Sequence, residues 1–313
     1  EIISNDSEYW TLFDSSEYNK NVKPNSQGPV IVNVSLFVMD IYGLSDIDMD
    51  YTIDLYLRQW WTDSRLQFNG TVKTINLGPD YIKKIWIPDT FIANSRQITH
   101  HNSAGSNPNT VLSITSDGLL FYSTRLIIVA NCPMDLSYFP MDRQLCQLKF
   151  ESYSYNNEQI QYKWLNKWLD GPSLASRISL YNFRIERDYK VTHIENINTD
   201  SFSILTYGFV LKRSLGFYLN QVYIPAFMVV VISWLPFWMD KRDTQARVGL
   251  GITTVLAIIT LVTNTNATLP KISYMKSIDI YLGFCYAMVF SSLVEYTVVG
   301  YFQISCCNKV SDV

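Results

Sequence analysis

Hydrophobic and polar residues alternate in short runs through the first two thirds of the chain, and the pattern stops near residue 213. Tyr51–Trp61 (YTIDLYLRQWW) alternates aromatic and β-branched residues with polar ones, and Val30–Val38 alternates in part. A period of two puts one face of a strand inward and the other outward. The same reading predicts strands over 111–114, 119–128, 144–150, 178–190 and 202–211. Asn69-Gly70, Gly78-Pro79, Asp117-Gly118 and Gly171-Pro172 lie between them as turn signals. Many short strands separated by polar turns predict a β-sandwich of the immunoglobulin-like kind. A short N-terminal helix is expected over 6–19.

Beyond Arg213 the pattern becomes continuously apolar. Residues 214–239 and 248–270 contain no charged side chain, and 280–302 contain only Glu295. Each run exceeds the roughly 20 residues that a helix needs to cross a bilayer. The expected spans are 216–239, 246–267 and 278–303. The chain is thus read as two domains, an outer β-sheet domain over 1–213 and a transmembrane α-helical bundle over 214–313. The junction Leu211-Lys212-Arg213 leaves no flexible linker between them.

Charge and cysteines refine this picture. A net charge of −3 over 313 residues gives no reason to expect a nucleic-acid partner. Cys132 and Cys146 are the only cysteines before the spans. They suit one disulfide in an oxidising compartment, with two free buried thiols as the competing reading. Asn5, Asn33 and Asn69 open glycosylation sequons in the outer part, and Asn266 opens a fourth. Glu1 is followed by polar residues rather than a leader, as in a trimmed form.

The second span carries a stripe. Gly249, Thr253, Leu256, Thr260, Thr263 and Ala267 follow steps of 4, 3, 4, 3 and 4, which trace one helical face. The face is small and hydroxylated, whereas the remaining positions are mostly Val, Ile and Leu. Such a face suits water or ions, and it equally suits close helix packing. If it lines a pore, several copies must surround that pore, and a ring of Leu256 forms an apolar constriction that gates by dewetting.

The segment Cys132–Cys146, CPMDLSYFPMDRQLC, resembles the defining loop of the Cys-loop receptors, the pentameric ligand-gated ion channels. Trp86-Ile87-Pro88-Asp89 and Trp61-Thr62-Asp63-Ser64-Arg65-Leu66 resemble two further motifs of that family. Arg247–Leu256, RVGLGITTVL, and 269–274 are most similar to the glycine and type A GABA receptor branch. The resemblance implies five subunits around one pore, a homopentamer being compatible with this chain, and a cis Pro140. It also implies a multi-pass plasma-membrane protein in contact with lipid, with its N-terminal domain outside and a postsynaptic location. The family has four spans. The natural protein is therefore expected to continue through a cytoplasmic loop into a fourth helix absent from this sequence.

The resemblance also implies functional residues. Ala246 stands before Arg247 at the inner mouth, where cation-selective members carry Glu, so a permeant anion is expected. Gln245 replaces the Pro usual in anion channels, and a cation-selective member is the alternative. On the principal side of an agonist site the matching positions are Phe91, Glu151, Ser152, Tyr153 and Phe202. On the complementary side they are Tyr56, Arg58, Ser123 and Arg125. Aromatic faces suit an ammonium group, and a planar guanidinium suits a carboxylate. The expected agonist is a small molecule of the amino-acid type, although Ile197 stands where loop C usually carries an aromatic. Without the resemblance, aromatic residues on strands read first as packing. Asp142 and Arg213 are expected to pair and to couple the cysteine loop to the pore. The alternative for Arg213 is an anchor at the lipid headgroups.

No enzyme, cofactor or metal is expected. Adjacent His100 and His101 would point to opposite faces of a strand. Gly249-Leu250-Gly251 lacks the third glycine of a dinucleotide loop. No catalytic triad or phosphate loop stands out. A membrane-anchored binding or adhesion sandwich without conduction explains the disulfide and the sequons but not the threonine stripe.

Overall fold

The computed structural model describes residues 18–24, 28–68, 72–100, 109–165, 178, 180–197, 200–239 and 244–311. The chain divides into two compact units. One comprises Glu1–Ser45, Met49–Pro133 and Leu145–Leu211, the other Asp46–Asp48, Met134–Gln144 and Lys212–Val313.

The first unit is built of two sheets. The larger contains β1 (Val30–Ser45), β2 (Asp50–Thr62), β3 (Thr74–Leu77), β5 (Ser95–His100), β6 (Thr110–Thr115), β7 (Leu119–Asn131) and β9 (Ile160–Trp164). Its order is β3-β6-β7-β2-β1-β9, with β5 also on β7. The smaller contains β4 (Thr90–Ile92), β8 (Arg143–Ser152), β10 (Phe183–Ile197) and β11 (Asp200–Arg213), in the order β10-β11-β8-β4. β1 and β2 are antiparallel neighbours, whereas β9 joins β1 in parallel.

Inward positions follow the alternation. Val32, Val34, Ile53, Leu55, Trp61, Leu120, Ile128, Leu148, Phe150 and Phe209 are almost completely enclosed. Each buried side chain of this size stabilises the fold by about 1.5–3 kcal/mol. The expected strand over 178–190 starts later, at Phe183; Ile178 is buried but lies outside it. Four short strands escape the pattern, among them Thr90–Ile92 with three residues and Thr74–Leu77 with four. Runs so short hold too few alternations to be recognised. Most of the expected N-terminal helix, residues 6–17, lies outside the described residues.

Among the described residues, the second unit holds three helical segments long and apolar enough to cross a membrane, Gly216–Trp238, Thr244–Ala267 and Ser277–Phe302. The third belongs to a helix that continues to Ser311. The first is not uniform. Leu219–Tyr223 is wound as a π-helix just before Pro225, and Leu235–Trp238 closes the span as a 3₁₀ turn containing Pro236. Proline lacks the N–H that an α-helix would donate one turn back, so the winding changes beside it. The 24 residues of the second span reach about 36 Å, ample for a hydrocarbon core of about 30 Å.

Candidate functional site

Two groups of side chains form on the two sheets of the first unit. On the larger sheet, the register pairs Tyr56 with Arg125 and Arg58 with Ser123. Positions two apart on a strand share a face, so these four side chains form one half-buried patch. Phe37 of β1 extends it, because β1 places Phe37 beside Tyr56. The Arg58 guanidinium lies over the Phe37 ring, 5.4 Å from its centroid.

The two arginines differ in their commitments. Arg125 donates from Nε and Nη2 to the two carboxylate oxygens of Asp54, at 3.1 and 2.6 Å. These bonds hold its pKa above the ordinary guanidinium value. Arg58 has no carboxylate partner among the described residues. Its fork of donors remains available to a ligand.

The other group gathers on three adjacent strands of the smaller sheet. β4 pairs Phe91 with Glu151 of β8, and β8 has β11, which carries Phe202, on its other side. The Phe91 and Tyr153 rings meet edge to face at 5.7 Å. Tyr153 is 78% exposed, whereas Glu151 and Ser152 are buried. The Glu151 carboxylate has no hydrogen-bond or ion-pair partner among the described residues. Burial raises its pKa, and the charge of Glu195 raises it further, while Lys149 and His193 oppose. The side chain of Ile197 and residues 198–199 lie outside the described residues.

The turn carrying Tyr153 is held by a residue that the sequence reading had placed only within a motif. Asp89 accepts hydrogen bonds from the Ser152 hydroxyl and, at 2.7 Å, from the Ser154 amide. The Ser152 hydroxyl accepts in turn from the Tyr155 amide at 3.0 Å. Trp86 of the same motif is buried and donates from Nε1 to the Tyr155 hydroxyl at 3.3 Å. Tyr18 joins this motif to the other one: its hydroxyl accepts from the Trp86 amide and donates to Asp63. Burial pushes the Tyr18 hydroxyl up to about 12. Both motifs are therefore scaffolding. An acceptor placed three residues after a Trp was the available signal for Asp89.

In the second unit, the cysteine-loop residues Met134–Gln144 gather around Arg213. Its side chain is fully enclosed and contacts Asp142 at 2.7 Å and Asp46 at 2.7 Å. Nη2 also donates to Asp46 Oδ1 at 2.9 Å and Asp142 Oδ2 at 3.0 Å. The Phe139 ring lies 4.7 Å from the guanidinium carbon. Burial disfavours this charge, but the hydrogen bonds it donates to both carboxylates hold its pKa above the ordinary value. Asp46 was missed in the sequence because its partner lies 167 positions away. The Leu136 amide donates to the Tyr274 hydroxyl, and Ser277 donates twice to the Ser137 carbonyl. The Phe139-Pro140 peptide is cis. In the first unit, Cys132 and Cys146 form a disulfide.

On the second span, Ala246, Gly249, Thr253, Leu256, Thr260, Thr263 and Ala267 all lie exposed. Thr254, Ile258 and Thr265 form the buried side. The glycines separate the two faces. A Cβ on Gly251 would meet Leu293 of the third span at 2.5 Å, but one on Gly249 would meet nothing within 4 Å. The stripe is thus not a packing face within this chain. Thr253, Thr260 and Thr263 donate their hydroxyl protons to carbonyls one turn back, the usual way a hydroxyl is satisfied in apolar surroundings. Arg247 departs from the stripe. Two positions before Gly249, it sits about 200° around the helix, half-buried with its guanidinium over the Tyr296 ring at 5.6 Å.

The remaining expectations fall apart from these groups. Asn33 lies in mid-strand between β2 and β9, with the Ser35 of its sequon buried, rather than in the surface loop that suits a glycan. Asn5, Asn69 and His101 lie outside the described residues.

Comparison with known proteins adds a family. Residues 7–215 match the neurotransmitter-gated ion-channel ligand binding domain, and residues 222–308 match the neurotransmitter-gated ion-channel transmembrane region. The chain is 38% identical over 294 residues to gamma-aminobutyric acid receptor subunit gamma-3 of Mus musculus and of Homo sapiens, covering 94% of this chain. It is 38% identical over 295 residues to gamma-aminobutyric acid receptor subunit rho-2 of Homo sapiens, covering 93% of this chain. The chain spans 62% of the length of these relatives.

Proposed function

Because the chain belongs to the neurotransmitter-gated ion-channel family, we propose that it is one subunit of a pentameric anion channel in the plasma membrane, opened by a small amino acid bound between two copies. One observation carries this reading: the two half-sites lie on different sheets of the same chain, and each holds what the other lacks. Phe91, Tyr153 and Glu151, which is unpaired among the described residues, suit an ammonium group. Cation–π attraction to an aromatic ring contributes about 0.5–2 kcal/mol. Arg58 and Ser123 suit a carboxylate. A ligand with both groups bridges two copies, so a homopentamer can form complete sites. The gamma-aminobutyric acid named in the relatives has both groups.

The exposed stripe from Gly249 to Ala267 faces the pore axis, and a ring of Leu256 closes it by excluding water. Ala246 puts no acidic ring at the inner mouth, which favours anions. The apolar residues left exposed on the third span, such as Phe284 and Phe290, suit lipid. Ligand binding shifts the equilibrium between closed and open states through β8 and β11. The first carries Glu151 and starts beside Asp142; the second carries Phe202 and ends at Arg213.

Complementation tests the two-copy site. Arg58→Ala and Glu151→Gln are each expected to abolish the current evoked by a 4-aminobutyrate concentration that half-activates the unsubstituted chain. Expressed together they restore it, because one interface then pairs an intact Glu151 with an intact Arg58. Silence of the mixture, with both chains at the surface, overturns the reading. Reversal potentials that track the cation gradient under chloride dilution overturn the anion assignment.

A further inference from the structure

Gly208 lies in the second half of β11, and a Cβ there would meet the Tyr189 ring of β10 at 2.3 Å. The missing side chain is what lets the ring cross the strand at this point. Tyr189 reaches over β11 to β8, where Gln147 Nε2 donates to its hydroxyl at 2.6 Å. β11 stands between β10 and β8, which puts their backbones about 10 Å apart. The aromatic side chain and the amide close that gap. Gln147 is itself fixed. Its carbonyl accepts from the Tyr51 hydroxyl of β2 at 2.9 Å and from Asn94 Nδ2 at 2.7 Å. β10 is thereby tied through β8 to the larger sheet.

The tie falls partway along both strands that leave the proposed agonist site. Gln147 stands four positions before Glu151 and five after Asp142; Gly208 stands six after Phe202 and five before Arg213. Positions an even number apart on a strand share a face, so Gln147 shares one with Glu151, and Gly208 one with Phe202. At about 3.3 Å per residue, the tie lies about 13 Å from Glu151 along β8, outside the agonist site. We infer that Tyr189 is a positioning residue for gating, a role that rests on the proposed agonist site. It holds β8, β11 and β10 in one register, so that the three strands shift together when ligand binds. Without the tie, β10 is held along β11 and moves independently of β8. Filling the space over Gly208 needs only a ring, whereas tying β10 to β8 needs the hydroxyl.

The test is single-channel recording at saturating 4-aminobutyrate, with the opening equilibrium taken from open and closed times. Only folded, assembled channels contribute to it. Tyr189→Phe keeps the ring over Gly208 and is expected to lower that equilibrium about two- to tenfold, the scale of one hydrogen bond. Gln147→Leu should do the same, and the double variant should be no worse than either, because both remove a single bond. Gly208→Ala drives the ring off and should lower the equilibrium at least as far. Adding Tyr189→Ala to it should cost nothing beyond Tyr189→Ala alone. An unchanged opening equilibrium in Tyr189→Phe, even with fewer channels at the surface, would make Tyr189 a packing residue and overturn the inference. Additive losses from Tyr189→Phe and Gln147→Leu overturn it too. In both cases openings of the unsubstituted chain leave the agonist site standing; their absence overturns that site and the inference together.

Discussion

Arg213 and Glu151 are both buried charges, and the chain treats them in opposite ways. Arg213 is enclosed by two carboxylates and an aromatic ring, with its charge matched inside the protein. Glu151 is buried beside an aromatic pair, with no hydrogen-bond or ion-pair partner among the described residues. A charge satisfied within the chain belongs to the architecture in every state that keeps the contact. A charge left unsatisfied costs stability until something binds it. The contrast separates a joint from a receptor subsite without appeal to either one's position in the sequence.

The largest effect follows from breaking the joint. Arg213→Met leaves Asp46 and Asp142 facing each other without a cation, which costs about 3–5 kcal/mol. Thermal unfolding of the detergent-solubilised protein should shift down sharply, and surface expression should fall. Adding Asp46→Asn and Asp142→Asn to Arg213→Met should recover part of the loss. If the triple variant is no better than the single one, Arg213 acts through packing rather than charge.

Glu151→Gln should act in the other direction. Removing an unpaired buried charge leaves the melting temperature unchanged or slightly raised. Ligand potency should fall by about two orders of magnitude, the scale of losing a charge-assisted contact of about 3 kcal/mol. A strong destabilisation would mean that Glu151 has an internal partner and that the comparison with Arg213 fails.

Asp89→Ala sharpens the comparison at the supporting level. It releases the Ser152 hydroxyl and the Ser154 amide, at about 1–3 kcal/mol for groups left unpaired. Potency should drop more than fourfold while Arg58, on the other sheet, keeps its behaviour. Equal potency with a lowered melting temperature would make Asp89 a stabiliser and not a positioner of Tyr153.

The smallest effect is the response to pH. The pKa of Glu151 is raised, so acidification neutralises it before an ordinary carboxylate, whose pKa is about 4.3. Only the charged form attracts an ammonium, so potency is present at high pH and declines as pH falls through the raised value. Dose–response curves at stepped pH should show this decline, and Glu151→Gln should flatten it. A decline that survives the substitution would place the proton elsewhere.

Particular residues show how far the sequence could be read. Tyr56, Arg58, Ser123 and Arg125 lie on long alternating strands, where side-chain direction follows from a period of two. Phe91 lies on a strand of three residues that no periodicity reveals. The stripe on the second span followed from helical geometry alone, but its competition with a packing role did not. Gly249 and Gly251 are indistinguishable in composition, and only the position of Leu293 tells them apart.

The sequence alone determined the long alternating strands, the spans, the cysteine pair and the one-sided threonine face, because each depends on local periodicity or on a short motif. The tertiary structure decided which charges are matched. Arg125 is tied to Asp54 while Arg58 is not, and Arg213 found Asp46 as well as Asp142. Glu151 was left without a hydrogen-bond or ion-pair partner among the described residues. Ion pairing depends on separations of a few ångströms between residues far apart in the chain, and no local pattern encodes those distances.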